Sequence, residues 1–368
     1  MRILYFAPIY FDDMKQRPQQ IAECLARKHE VFYVEPTISL MRQLLKGGRS
    51  FLGGTVYRGS GLVRMRLNGI LTLHKSLEIL DLFGINSLSE YIQIKKLADT
   101  CDVLWVGYSG WYTLVRLLKD KPVIFDWMDE EELLVSSRLL KWTLMRNRKR
   151  LLRRSETVFV TCMRFYEQLI KCRKNVYHVP NAVSLSFLPA KKERPPKEKK
   201  AGKKIIFGYI GTIAEWFDFD VIRYILSLSS GYYVVLAGKN MQPVFVHERV
   251  KYLGVRPHEQ LPRIISHFDV CLYNFKKDRL IETVNPVKIY EYLAANRPVL
   301  AVSSKETELF GNYVMRYHQK EEIKELLSNG IHCPFASERE YMEFIKSNTW
   351  EARSAVIEDV LNGLDRDG

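Results

Sequence analysis

One short stretch has the residue types and spacing to hold a phosphorylated ligand. In Asn285-Pro-Val-Lys-Ile-Tyr-Glu291, Pro286 can open a helix, because the first helical position has no use for an N–H. The free amides of a helix start carry partial positive charge and suit a phosphate. Lys288 adds a full positive charge in the first turn, and Glu291, one turn on, is an acceptor that can bind a ribose diol. Asn285 and Val287 flank the same start. Ile289, Tyr292 and Leu293 recur at helical spacing, so one face is buried. Asn296 can end the helix in a left-handed conformation, Pro298 prevents its continuation, and Val299-Leu-Ala-Val302 reads as a buried strand. An ordinary buried helix–strand unit of an α/β protein has the same pattern.

A second group is acidic: Asp126-Trp-Met-Asp129-Glu-Glu-Glu132, just past the apparent strand Val123–Phe125. Open α/β sheets bind ligands beyond the carboxyl ends of their strands. A carboxylate there can act as the base that deprotonates a hydroxyl. Asp129 is the first candidate, with Asp126 as an alternative base or as an orienting group. Acids also favour helix starts, so the run can equally cap the following helix. Both roles are compatible, with Glu130–Glu132 as cap and Asp129 as base.

Pro-x-Lys-x-x-Glu-Tyr-Leu-Ala-x-x-x-Pro-Val, at residues 286–299, resembles the nucleotide-sugar signature of GT-B glycosyltransferases of the family-4 kind. The resemblance implies two doubly wound Rossmann-like domains facing a cleft, with a C-terminal helix crossing back to the first. It also implies a donor diphosphate at the Lys288 helix start and a ribose on Glu291, the final Glu of a Glu-seven-residues-Glu motif. The motif's first Glu falls on Thr283, with Glu282 adjacent. Other donor-side positions implied by the resemblance are Gly211 and Thr212 against the diphosphate, Gly238 and Lys239, and Gly254, Val255 and Arg256 near the nucleobase. Arg17-Pro-Gln-Gln20 and the Asp126-x-x-Asp129 segment resemble the subgroup that makes bacterial teichuronic acid and other surface polysaccharides. That places Arg17 and Gln19 on the acceptor side, although a surface helix cap is an equal reading.

The elements that must position these residues alternate. Arg2–Pro8 reads as a strand, the segment from Pro18 as a helix, and Val31–Glu35 as a strand, an order that demands a parallel sheet. No Gly-x-Gly-x-x-Gly follows the first strand. Residues 1–185 form the expected acceptor-binding domain, 186–204 a basic linker, 205–340 the nucleotide-sugar domain, and 341–368 helices packing back on the first domain. Residues 37–75 are Gly-rich and basic and read as a loop, either an acceptor-shaping excursion that touches membrane or a loop without function. In the second domain, Ile205–Ile210, Tyr232–Ala237, Val250–Gly254 and Asp269–Tyr273 read as strands. Asp218-Phe-Asp220 is better placed to cap a helix than to hold a metal.

The chain has 368 residues and a net charge of +14. Residues 1–185 hold 29 Lys/Arg against 18 Asp/Glu, and residues 186–204 hold eight against two, so the basic excess lies in the first domain and linker. Residues 138–154 contain eight Lys/Arg with Leu140, Trp142, Leu144 and Leu151, which suits a helix lying on anionic lipid or a solvated, partly packed one. No apolar run is long enough to span a bilayer, and six unpaired-looking Cys fit a reducing compartment. The expected enzyme is therefore a cytoplasmic hexosyltransferase, peripherally held at the inner face of the membrane. It would use a nucleotide sugar, UDP- before GDP-, as co-substrate and need no metal or other cofactor. Its acceptor would be a saccharide or lipid-linked oligosaccharide. A nucleotide-sugar 2-epimerase uses the same fold and phosphate site and is the rival enzyme reading. A nucleic-acid-binding protein fits poorly, because the charge is not interleaved with base-stacking aromatics or a binding motif.

Overall fold

The computed structural model describes residues 1–39, 54–69, 85–188 and 204–364. The chain divides into two compact units. Unit 1 comprises Met1–Pro180 and the stretch from Ser354 onward; unit 2 is Asn181–Arg353. The division falls at Pro180, and most of the expected 186–204 linker lies outside the described residues.

Unit 1 is built on strands β1 (Arg2–Phe6), β2 (Glu30–Ser39), β3 (Gly54–Arg58), β4 (Leu62–Gly69), β5 (Val103–Val106), β6 (Val123–Trp127), β7 (Thr157–Val160) and β8 (Val176–His178). Their order is β3-β4-β2-β1-β5-β6-β7-β8, and only the β3–β4 pair is antiparallel. Helices α1 (Arg17–Leu25), α2 (Ile85–Asp99) and α3 (Arg138–Arg154) pack around the sheet. β1, β5, β6 and β7 are buried along most or all of their length, as a parallel sheet covered on both faces requires. Register aligns Tyr5 with Tyr33 and with Trp105. Their rings therefore stack, at 5.4 and 5.5 Å, and Trp105 stacks on Phe159 at 5.2 Å. Such ring pairs contribute about 0.5–1.5 kcal/mol each beyond their area and stiffen the sheet under the strand ends.

The expected loop at 37–75 needs correction. Residues 54–58 and 62–69 form a hairpin that extends the sheet, with β4 parallel to β2. The intervening turn is made by Gly61, whose positive φ of 74° no side chain tolerates easily, since a Cβ there would collide with the Ala26 carbonyl. The other parts of that segment, 40–53 and 70–75, lie outside the described residues.

Unit 2 has six parallel strands in the order β11-β10-β9-β12-β13-β14. They are β9 (Ile205–Ile210), β10 (Tyr232–Ala237), β11 (Val250–Gly254), β12 (Val270–Tyr273), β13 (Val299–Val302) and β14 (Met315–Tyr317). Helix α4 (Phe219–Leu228) is capped by Asp218, whose side chain accepts from Asp220 N at 2.8 Å, and Asp220 in turn pairs with Arg223. Helix α5 (Val287–Ala294) follows Pro286, and Asn296 beyond it has a φ of 51°. Ile289, Tyr292 and Leu293 are fully buried against the sheet. Helix α6 (Glu338–Ser347) stays with unit 2, and the last helix, α7 (Trp350–Leu364), begins in unit 2 and continues into unit 1. In unit 1 its Glu358 pairs with His29 at 3.0 Å. Among the described residues no helix is long and apolar enough to cross a membrane.

Candidate active site

Both sheets change winding direction beside their first strand, β1 against β5 in unit 1 and β9 against β12 in unit 2. That switch point is where open α/β sheets form a crevice at the carboxyl end of the strands.

In unit 2 glycines close three successive strands on one side of that point, β9, β10 and β11. Gly211, Gly238 and Gly254 all have positive φ, at 134°, 141° and 68°. Gly211 N donates to Ala237 O at 2.8 Å, and Gly238 N donates to Gly254 O at 2.8 Å, so the three loops are stitched in order. Ile213 N continues the ladder to Lys239 O at 2.9 Å. A methyl group on Gly238 would strike the Gly211 carbonyl, and one on Gly211 would strike Lys288 Cε and lie 2.9 Å from Nζ. Lys288 therefore lies across the Gly211 backbone. Tyr292 fixes the approach from below, its hydroxyl accepting from Ile210 N at 3.0 Å, and Tyr209 donates to Thr212 O at 3.0 Å.

Among the described residues Lys288 makes no hydrogen bond or ion pair, although some of its surface remains open. Burial holds its ammonium below its ordinary pKa, with nearby Glu291 pulling the other way. Burial likewise pushes the Glu291 carboxyl up to about 7, against the pull of Lys288. A cation without an ion-pair partner, beside a helix start and a glycine backbone free of side chains, has the chemistry to seat an anion.

The remaining donor-side candidates fall into two sets. Asn285 is buried and already engaged: its Oδ1 accepts from Asn181 N at 2.8 Å, its carbonyl from Asn181 Nδ2 at 3.0 Å, and its Nδ2 donates to Glu306 at 2.7 Å. It braces the loop before α5 from within. Thr283, where the resemblance would put a Glu, is fully buried and donates to Leu280 O at 3.0 Å, inside its own turn. Glu282 beside it is partly exposed. Lys239, Gly254, Val255 and Arg256 are exposed at the ends of β10 and β11.

In unit 1 the acidic run separates by role. Asp126, at 0% exposure, is gripped by Arg17: Nε lies 3.2 and 3.0 Å from its two oxygens and Nη2 lies 2.9 Å from Oδ1. The remaining guanidinium nitrogen donates to Val179 O at 2.8 Å and Pro180 O at 3.3 Å, where the chain leaves this unit. Gln19 is also fully buried; it donates to Tyr10 O and Met14 O and accepts from Gln16 N at 2.9 Å. Arg17 and Gln19 thus hold the β1–α1 loop and the exit strand together. Gln19 does cap α1, in a reciprocal pair with Gln16, but from a buried position and not at the surface; Arg17 is tied to Asp126 instead.

Asp129 differs. It is partly exposed, and among the described residues its carboxylate makes no hydrogen bond or ion pair; only its backbone is held, by Trp127 Nε1 at 3.0 Å. Burial pushes it up to about 6, Arg17 lowers it and Asp126 raises it. The run does not cap α3. Ser137 does, accepting from Leu140 N, while Glu131 accepts from Ser109 N at 2.8 Å and Glu132 forms a two-point pair with Arg148. Sequence reasoning missed the Arg17–Asp126 and Glu132–Arg148 pairs. A buried guanidinium needs a carboxylate somewhere, but a partner 109 positions away leaves no local signal.

The fold is that of the GT-B glycosyltransferases. A sucrose-phosphate synthase from Thermosynechococcus elongatus superposes with a TM-score of 0.74 at 13% identity, all of each chain being covered. The Anabaena protein HepE in complex with UDP does so with a TM-score of 0.67 at 12% identity, over 99% of this chain and 100% of that one. In sequence, the chain is 22% identical over 334 residues to TuaH of Bacillus subtilis (strain 168), a protein assigned to teichuronic acid biosynthesis as a glycosyltransferase. That match covers 83% of this chain and 81% of TuaH. No protein-family model matches the chain.

Proposed function

We propose that the protein is a glycosyltransferase that moves a sugar from a UDP-sugar to a hydroxyl of a bacterial surface polysaccharide or lipid-linked oligosaccharide. The observation that carries this reading is Lys288: a partly buried cation at a helix start, against Gly211, with no hydrogen bond or ion pair among the described residues and the carboxyl of Glu291, itself pushed up by burial, as the nearby anion. A diphosphate supplies the contact partner that Lys288 lacks. Lys288 and the amides of α5 then stabilise the departing UDP, so the chemistry needs no metal for that purpose. Glu291, one turn along, holds the ribose, and the exposed ends of β10 and β11 at Lys239 and at Gly254–Arg256 take the base.

In the transfer, the acceptor oxygen forms a bond to the anomeric carbon as the bond from that carbon to the β-phosphate oxygen breaks. UDP keeps the bonding electrons, and the hydroxyl proton passes to Asp129. This direct displacement inverts the anomeric centre. Asp126 positions the loop through Arg17 and takes no proton. UDP as the nucleotide is supported by the HepE complex, and the polysaccharide acceptor by the similarity to TuaH. The basic face of α3 would keep the enzyme at the inner face of the membrane, beside a lipid-linked acceptor.

Calorimetry of the whole protein with UDP and GDP tests the donor assignment. UDP should bind and GDP should bind at least tenfold more weakly. If neither nucleotide binds, unit 2 is not a donor site and the transferase reading falls.

A further inference from the structure

A second cluster lies on the same carboxyl edge of the unit 1 sheet, away from Asp129. Glu35 on β2 is completely buried and accepts from Arg64 Nε at 3.1 Å and Nη2 at 3.0 Å, and it also pairs with Arg66. Arg64 and Arg66 project from β4, where Tyr33 aligns with Arg64 and Glu35 with Arg66. One buried carboxylate cannot neutralise two guanidiniums. The balance comes from Asp12 on the β1–α1 loop, 2.5 Å from Arg64 and 3.9 Å from Arg66, with its side chain 69% exposed. A pair that served only the core would bury both partners; here the second anion stands in solvent, where such a contact holds weakly.

The guanidiniums are also framed by rings. Arg64 lies 4.8 Å from the centroid of Phe11 and 5.9 Å from that of Tyr57, and Arg66 lies 5.3 Å from that of Tyr10. Tyr57 is 50% exposed. Aromatic rings cover the C–H faces of sugars, and guanidinium forks match carboxylate and phosphate oxygens.

We propose that Arg64 and Arg66, with Tyr10, Phe11 and Tyr57, form a binding site for an acidic saccharide, and that Asp12 occupies the place of its acid group until it arrives. This rests on the reading of unit 1 as the acceptor unit. Glu35 fixes the two guanidiniums in advance, so the ligand replaces only the exposed Asp12. In the strand order, β4 and β6 are four positions apart counting both ends' intervals through β2, β1 and β5, roughly 19 Å at about 4.8 Å per strand spacing. The acid group recognised here therefore belongs to a sugar several units from the hydroxyl that faces Asp129. The acceptor is an acidic chain read at a distance from its growing end.

The test is calorimetry of the whole protein with three tetrasaccharides: neutral glucose units, the same chain with a uronic acid, and the same chain with a 6-phosphate. The site predicts that one or both acidic chains bind at least about tenfold more tightly than the neutral one, as one charge-assisted contact requires. Which acid is preferred identifies the natural group. Asp12→Asn should tighten acidic binding about threefold and leave neutral binding unchanged, since an exposed competitor is removed. Arg66→Gln, which keeps the Arg64–Glu35 pair and so the fold, should abolish most of the preference. Equal binding of acidic and neutral chains, or an Asp12→Asn variant with no gain, overturns the proposal. UDP titration of the same samples separates the two readings. UDP binding without an acidic preference overturns this site alone, whereas an acidic preference without UDP binding leaves this site standing and overturns the transferase.

Discussion

Arg17 and Lys288 are both cations in the first turn of a helix, and they have opposite surroundings. Arg17 has every guanidinium nitrogen engaged, by both oxygens of Asp126 and by two backbone carbonyls. Lys288 lies against bare glycine backbone with no hydrogen bond or ion pair among the described residues. The same contrast separates Asp126, fully gripped, from Asp129, three residues on, whose carboxylate has no such partner. A saturated charge is expected to hold the fold, and a charge without such partners, at a helix start or past a strand end, is expected to serve a ligand. Each half of that contrast can be broken separately.

The largest effect is expected at Asp129. Asp129→Asn keeps the shape and removes the basicity, so turnover should fall by about 10²–10⁴-fold while UDP affinity is unchanged. As the proposed base, Asp129 works only when ionised. With its carboxyl pushed up to about 6, activity should rise as pH rises through that value and fall below it. Steady-state rates of the variant at pH 7.5, and a pH profile of the parent, are the measurements. An Asp129→Asn enzyme of near-parental rate would remove Asp129 from the chemistry.

Arg17→Met should act on stability instead. It leaves the Asp126 carboxylate buried and unpaired, which costs about 3–5 kcal/mol. Denaturant unfolding should show that loss, and a variant as stable as the parent would show that the pair is not structural. The residual folded protein should still bind UDP, because Arg17 belongs to unit 1 and the proposed donor residues Lys288 and Glu291 to unit 2.

Much of this contrast was legible in the sequence, and the reason is local. Pro286, Lys288, Glu291 and the apolar spacing of α5 define a helix start and a buried face within a dozen residues, and β9 to β13 follow apolar runs closed by turns. What was not legible depends on distant chain. Asp126 looked as free as Asp129 until Arg17 came to it from across the sheet. Glu130–Glu132 looked like a helix cap because nothing local reveals that Glu132 pairs with Arg148 while Ser137 does the capping. The β3–β4 hairpin was hidden by glycines that suggest a loop, although Gly61 makes the turn that pairs the strands.

Lys288→Ala is the counterpart of Arg17→Met, smaller in magnitude and opposite in kind. An ammonium with no hydrogen bond or ion pair adds little to the fold, whereas a charge-assisted phosphate contact is worth about 1.5–3 kcal/mol. UDP affinity should therefore drop more than tenfold with the melting temperature unchanged. If UDP binds the variant as tightly as the parent, the diphosphate does not sit at Lys288.

The smallest single effects are expected on α3, where the contrast between saturated and open charge runs along one helix. Arg148 is turned inward, paired with Glu132 and packed over Trp127 at 5.0 Å. Arg146, Lys149 and Arg153 are exposed, and Leu139, Trp142 and Met145 are exposed beside them, Arg146 lying 5.1 Å from the Trp142 ring. Apolar side chains flanked by cations are what an interfacial helix presents to anionic lipid, at about 1 kcal/mol for each basic residue near the surface. Changing Arg146, Lys149 or Arg153 singly to Gln should each weaken co-sedimentation with phosphatidylserine-containing vesicles about fivefold at low salt, and raised salt should erase the difference. Trp142→Ala should weaken binding at both salt concentrations, because its contribution is apolar. Arg148→Gln should instead lower stability, since it strips Glu132 of its partner. Vesicle binding that survives the triple Gln substitution unchanged would mean that this face of α3 meets water and not membrane.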